Sequence, residues 1–312
     1  MLANIKQNKK RLTSGCSYLT FENYKNKHMK NIAIILLPLL FVFACNSQNN
    51  NSNNQQNSDN NSVSNKDTVT SENIIFNIKP QAEAKYPDIK SIPVPPGYER
   101  VFVEENSFGE WLRNLNLKTE NNDLYLYDGS LKYSQDLHFA VLKFDAGKRD
   151  LQQCADAVMR LRGEYLYAKH QYNDIHFNFL NDGKPRYFTQ YGHGDKSYKK
   201  FRNYMNYIFS YANTASLKKE LTPVKNLKDI RPGDVFIQSG RSYGHAVTVV
   251  DVAKNNEGDV IFMVSQSYMP AEEINIVNNQ NNKNLSPWYK LYETPTLTIP
   301  EWEFEYSDLR RF

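Results

Sequence analysis

LKDIRPGDVFIQSGRSYGHAVTVVDV, residues 227–252, runs directly into AKNNEGDVIFMVSQ, residues 253–266. Ala246 to Val252 is mostly apolar and β-branched, and so is Val260 to Val264. The intervening Lys254-Asn255-Asn256-Glu257-Gly258 carries turn residues, so the two runs read as a β-hairpin. A four-residue loop pairs Lys254 with Asp259, and paired positions then sum to 513. Val247 opposes Gln266 and His245 opposes Tyr268 in that register. His245 and Gln266 fall on one face as diagonal neighbours, within reach for long side chains. Upstream, Arg231-Pro232-Gly233-Asp234 leads into a strand at Val235 to Ile237.

Working outward, Asp150 is a candidate N-cap with Gln153 three residues on. A helix is predicted from Leu151 to about Lys169, with Leu151, Cys154, Val158, Leu161 and Tyr165 on one face. A second helix is predicted over Ser197 to Ala212, and short strand pieces over Phe177 to Tyr191. Ser107 with Glu110 opens a short helix. Leu124 to Tyr127 before Asp128-Gly129, and His138 to Phe144, read as strands. Residues 86–99 are Pro-rich and extended. Trp302, Phe304 and Tyr306 alternate with Glu301, Glu303 and Glu305, a half-exposed strand with an acidic outer face. The class is α+β, an antiparallel sheet packed with a few helices.

The first 45 residues are a different kind of sequence. Met1 to Lys30 hold seven Lys/Arg and one acid. Met29 begins MKNIAIILLPLLFVFAC, a cationic start, an apolar stretch from Ile32 to Phe43, and a small residue before Cys45. This is a secretory leader ending in a lipobox, with Met29 the expected true start. The apolar stretch is short for a membrane-spanning helix. Cys45 is the lipidation candidate, which implies anchoring to a membrane at the cell envelope, on its periplasmic face or outer surface. Of residues 46–65 all but Asp59 and Val63 are Asn, Gln or Ser. Such a composition buries too little apolar surface to order itself. Residues 46–73 are therefore read as a tether of about 30 Å, and residues 74–312 as one α+β domain.

Removing the leader leaves 31 Lys/Arg against 33 Asp/Glu, a formal −2 instead of the whole chain's +4. That balance argues against a nucleic-acid partner. Cys154 is then the one thiol besides Cys45 in the processed chain, so no disulfide forms within the domain. Cys154, His245 and Gln266 are the candidate catalytic residues. A thiol near a helix N-terminus has its pKa lowered, an imidazole can take and return its proton, and a polar group can fix the imidazole tautomer. Each has a structural alternative. Cys154 could be a small core hydrophobe, His245 a strand-initial histidine bonded to a carbonyl, and Gln266 a buried amide satisfying backbone. Arg160 and Arg162 are read as solvated or paired with Glu164 or Asp156. His170, Asp174, His176 and His193 are taken as loop residues, since their spacing suits no zinc site. No cofactor or metal is expected. The 21 tyrosines serve sheet packing or line a glycan groove.

The Pro232-Gly233-Asp234 turn, the strand after it, and Gly244-His245 at the head of the next strand resemble the NlpC/P60 and CHAP domains, papain-like amidases and peptidases of the cell wall. That resemblance implies a papain-like core with a Cys-bearing helix, here preceded by a β-rich N-terminal extension. It also implies the order nucleophile Cys154, base His245, orienting group Gln266, and cell-wall peptide or another envelope amide as substrate. The chain departs from the pattern in reading Gln-Gln-Cys-Ala where Asp-Cys-Ser-Gly is usual. There are also 90 residues between Cys154 and His245. Leu151 to Arg162, Tyr211 to Thr214 and Gln266 to Ala271 further resemble the domain-of-unknown-function 4846 lipoproteins, over roughly Ile92 to Arg310. Two functions stay open: a thiol amidase or peptidase, and a non-catalytic binding or structural lipoprotein on the same fold.

Overall fold

The hairpin at residues 244–266 forms and is the spine of the molecule. The structure is a computed structural model that describes residues 85–240 and 243–312; the leader, Cys45 and the tether lie outside the described residues. In chain order the elements are β1 (Tyr98–Arg100), α1 (Phe108–Arg113), β2 (His138–Val141), α2 (Cys154–Ala168), β3 (His176–Asn178), β4 (Pro185–Tyr187), α3 (Phe188–Gly192), α4 (Tyr198–Phe209) and α5 (Thr214–Glu220). They continue with β5 (Thr222–Pro223), β6 (Val235–Ser239), β7 (Gly244–Asn255), β8 (Val260–Gln266), β9 (Asn275–Val277), β10 (Tyr289–Lys290), β11 (Leu297–Ile299), β12 (Trp302–Phe304) and β13 (Leu309–Arg311).

The main sheet is antiparallel in the order β2-β9-β8-β7-β6-β13-β5. β1 continues the edge of β7 past the end of β6, and β10 does the same for β8 beside β9. The helices lie on one face. There Val158, Met159, Phe201, Met205, Ile208 and Leu217 pack around Ala246, and Leu112, Ala157 and Leu161 pack on Val250, Ile261 and Met263. The other face is apolar too: Val247, Val249, Phe236, Phe262 and Val264 lie under Phe304 and Leu309. A sheet covered on both faces explains why β7 and β8 read as continuous apolar runs without alternation.

The register holds a correction that cancels itself. At the loop end Lys254 pairs with Val260, one residue off the expected partner. A bulge between Val249 and Asp251 absorbs that residue, and Thr248 then pairs with Ser265 as expected. The bulge carries Asp251, a fully buried carboxylate held by Arg100 Nε and Arg113 Nε, each at 2.6 Å. These two ion pairs fasten the N-terminal segment to the spine, as a buried charge requires.

The turn Arg231 to Asp234 is built for close approach. Gly233 sits at φ +97°, and a Cβ there would lie 2.8 Å from the Phe108 ring. Its N–H donates to Val249 O at 2.8 Å. Asp234 accepts two hydrogen bonds from the Arg311 guanidinium, at 2.7 and 2.8 Å.

Three expectations are corrected. The N-terminal segment is not a β-rich extension. Its described part before α2 holds two short strands, one α-helix and isolated bridges, and both strands, β1 and β2, belong to the main sheet. Pro87, Pro93, Pro95 and Pro96 leave it few donors for a ladder. Leu124 to Tyr127 makes only bridges around the Asp128-Gly129 turn. The predicted helix 197–212 ends at Phe209, and Asn213 caps a further helix, α5.

Candidate functional site

α2 begins at Cys154, three residues later than Asp150 capping would place it. Asp150 is drawn elsewhere: its Oδ1 accepts from Ala271 N–H at 2.7 Å and from Gln153 Nε2 at 2.9 Å. Gln153 is the N-cap, and its N–H donates to Asp156 Oδ2 at 3.2 Å. The loop before the helix is tied to the loop after β8, because Ser267 Oγ donates to Gln152 O at 2.6 Å. Cys154 therefore stands at the first helical position, closer to the positive end of the dipole than expected.

The thiol nevertheless lies in a poor place for a nucleophile. Cys154 is 8% exposed, and its Sγ donates to Gly244 O at 3.8 Å. Burial, and then the negative charge of Asp156, push its pKa up to about 11, although N–H groups of Ala155 and Ala246 pull the other way. Asp156 is itself sealed in. Burial raises its carboxyl well above the usual range, and its Oδ1 has no hydrogen-bond partner. Cys154 lines a cavity of about 240 Å³ whose other walls include Leu151, Asn213, Thr214, Tyr243 and Met269.

His245 and Gln266 come together as the hairpin register requires. His245 Nε2–H donates to Gln266 Oε1 at 2.9 Å. The imidazole is 1% exposed and packs against Tyr268, Trp302 and Phe304, with centroids at 5.2, 5.4 and 5.8 Å. Burial pushes its pKa down to about 4, against the hydrogen bond to Gln266 Oε1, which favours the charged form. The polar chain continues inward. Gln266 Nε2 donates to Glu301 Oε2 at 2.8 Å, and Lys132 Nζ bridges Glu301 and Glu272 at 2.8 and 2.9 Å. Glu272 is raised to about 7, chiefly by burial.

The ring of His245 lies on the Phe304 side of the sheet with Val247 and Val249, whereas Ala246 packs on the α2 side. The structure thus joins His245 to Gln266 and seats Cys154 against the main chain of the same strand, where its sulfur bonds Gly244 O and not the imidazole. Glu301, Lys132 and Glu272 were not legible as site residues. Glu301 was expected on an acidic outer face. It sits in the turn between the paired Ile299 and Trp302, where strand alternation does not apply. Arg160 is paired as expected, fully buried, with Glu164 Oε1 at 2.6 Å and Gln152 Oε1 at 2.8 Å. His170 and His176 bond Tyr172 OH and Asp174 O. Among the described residues no group of three or more His, Cys, Asp or Glu could hold a metal ion.

The sequence profile of the family described as "Domain of unknown function (4846)" matches residues 89–196 and 182–311. The chain belongs to that family. No curated protein and no solved structure matches it. This member of the 4846 family has a mixed fold of helices on an antiparallel sheet, and no helix among its described residues is long and apolar enough to cross a membrane.

Proposed function

We propose that this is a lipid-anchored envelope protein, attached through Cys45, whose domain keeps a papain-like arrangement but binds its ligand without hydrolysing it. The observation that carries this reading is that thiol and imidazole are bonded to different partners and not to each other. Cys154 donates to Gly244 O, while His245 is enclosed by aromatic rings and hydrogen-bonded to Gln266. A thiol with its pKa near 11 beside an imidazole with its pKa near 4 holds no thiolate–imidazolium pair at neutral pH. The cavity at the head of α2, with Tyr243 and Met269 exposed at its wall, suits a peptide or amide of the cell wall.

One observation favours the thiol amidase as a second reading. Cys154 occupies the first position of α2 and lines that cavity, so ligand could reach it. Alkylation separates the two. Iodoacetamide should modify Cys154 slowly near neutral pH, with a rate that climbs only as pH approaches 11, and the His245→Ala rate should match the wild type once corrected for unfolded protein. Fast neutral-pH alkylation that His245→Ala abolishes would instead establish a catalytic dyad.

A further inference from the structure

Arg162, eight residues along α2 from Cys154, carries a cation that the packing of that helix does not pair. Its guanidinium lies over three rings, with its carbon 5.2 Å from the Phe108 centroid, 5.5 Å from Tyr165 and 5.2 Å from Phe312. Burial lowers its pKa, so the group is partly desolvated. Among the described residues its guanidinium makes no hydrogen bond or ion pair, and the nearest acid acting on it, Asp174, does so only through space. Its neighbour in sequence, Arg160, shows what this helix does with a structural arginine: every polar end is met by Glu164, Gln152 or Tyr198. A guanidinium held by aromatic faces, with its donors not taken by described residues, is what a carboxylate site presents.

The space beside Arg162 fits such a ligand. It lines a cavity of about 370 Å³ formed with the Pro232-Gly233 turn, Ser107, Arg231 and Phe102. That volume falls in the range of small-ligand pockets. The cavity shares no lining residue with the one at Cys154. Phe102 is 87% exposed and Phe312 37% exposed, so an apolar wall stands beside the cation. Arg311 at the same wall is already committed to Asp234. With Arg311 and Asp234 paired to each other, Arg162 and Arg231 face Glu104, a balance of one positive charge that suits a single carboxylate better than a doubly charged anion such as phosphate. The geometry points to a binding site for an organic carboxylate bearing an apolar group, with Arg162 as its bidentate anchor and Phe102 and Phe312 as its apolar wall.

The test is titration calorimetry on the full chain with acetyl-Ala-Phe as the free acid and, separately, as the C-terminal amide. The acid should bind and the amide should bind at least about tenfold more weakly, the size of one charged hydrogen-bonded pair. Arg162→Gln should weaken the acid about tenfold and leave the amide unchanged, and Arg162→Lys should fall between because it keeps charge without the planar fork. Phe102→Ala, at a solvent-exposed position that cannot unfold the domain, should weaken the acid severalfold. Inorganic phosphate should not compete. Equal binding of acid and amide, no binding of the acid at millimolar concentration, or an acid affinity indifferent to both Arg162→Gln and Phe102→Ala would each overturn the site.

Discussion

The two faces of β7 at its N-terminal end use adjacent residues for opposite purposes. On the helix side, Ala246 makes room for α2, and Cys154 rests against the main chain at Gly244. On the other side, His245 begins a chain of hydrogen bonds through Gln266 and Glu301 to Lys132 and Glu272, walled by Tyr268, Trp302 and Phe304. The difference teaches that a Cys-then-His order along a chain is weaker evidence than the parity of the strand that bears the histidine. Neighbouring residues in a strand point to opposite faces. At 245 the ring meets the aromatic cluster, while the next residue, Ala246, packs on the α2 side.

The sharpest way to break that comparison is to remove each partner in turn. His245→Ala should lower unfolding stability by about 3 kcal/mol, because it opens a cavity under three rings and strands the buried Gln266 oxygen. Urea unfolding followed by tryptophan fluorescence measures it. A loss below 1 kcal/mol, on the order of a surface change, would mean that the imidazole is not part of the packed core.

A second, comparable effect comes from pH. His245 has its folded pKa depressed to about 4 from 6.5, so the unfolded chain binds the extra proton in that window. Its contribution is therefore present above pH 6.5 and is lost as pH falls towards 4, by about 3 kcal/mol for a shift of this size. Glu272 has the opposite sign. Its folded pKa is raised from 4.5 to about 7, so its contribution is present below pH 4.5 and is lost as pH rises through 7. The two slopes oppose each other between pH 4.5 and 6.5. Glu272→Gln should expose the histidine slope, giving a stability that rises with pH across that window more steeply than in the wild type. Parallel curves for the two proteins would show that Glu272 does not titrate there.

The smallest effect belongs to the thiol. Cys154→Ala removes one sulfur that makes a long bond to a carbonyl, and should cost about 1 kcal/mol. It should leave the acid dependence of stability as in the wild type, since His245 stands on the other face. A Cys154→Ala variant whose pH curve moved with the His245 variant would show that the two groups share one site after all.

Much of the architecture was legible. The hairpin at 244–266, the helix bearing Cys154 and the pairing of His245 with Gln266 all follow from apolar runs, turn residues and a period of two. What escaped did so for identifiable reasons. Asp150 looks like a cap, but Ala271, far away in sequence, offers it a better donor. Glu301 follows the alternation of its neighbours in the sequence, yet a turn places it under Gln266. Arg162 and Arg160 are two residues apart with the same side chain, and only the packing of Phe108, Tyr165 and Phe312 sets one apart from the other.

The sequence by itself determined the lengths and types of the main elements, the composition break near residue 74, and the face shared by His245 and Gln266, because these depend on local propensity and on periods of 2 and 3.6. The packing of distant segments set the partners of Cys154 and His245, which carboxylates are buried and shifted, and the aromatic seat of Arg162. Those are distances between segments far apart in the chain, such as Cys154 and Gly244, or Lys132 and Glu301. They are set by how one face of a helix meets one side of a sheet, and the order of residues along the chain carries no direct record of it.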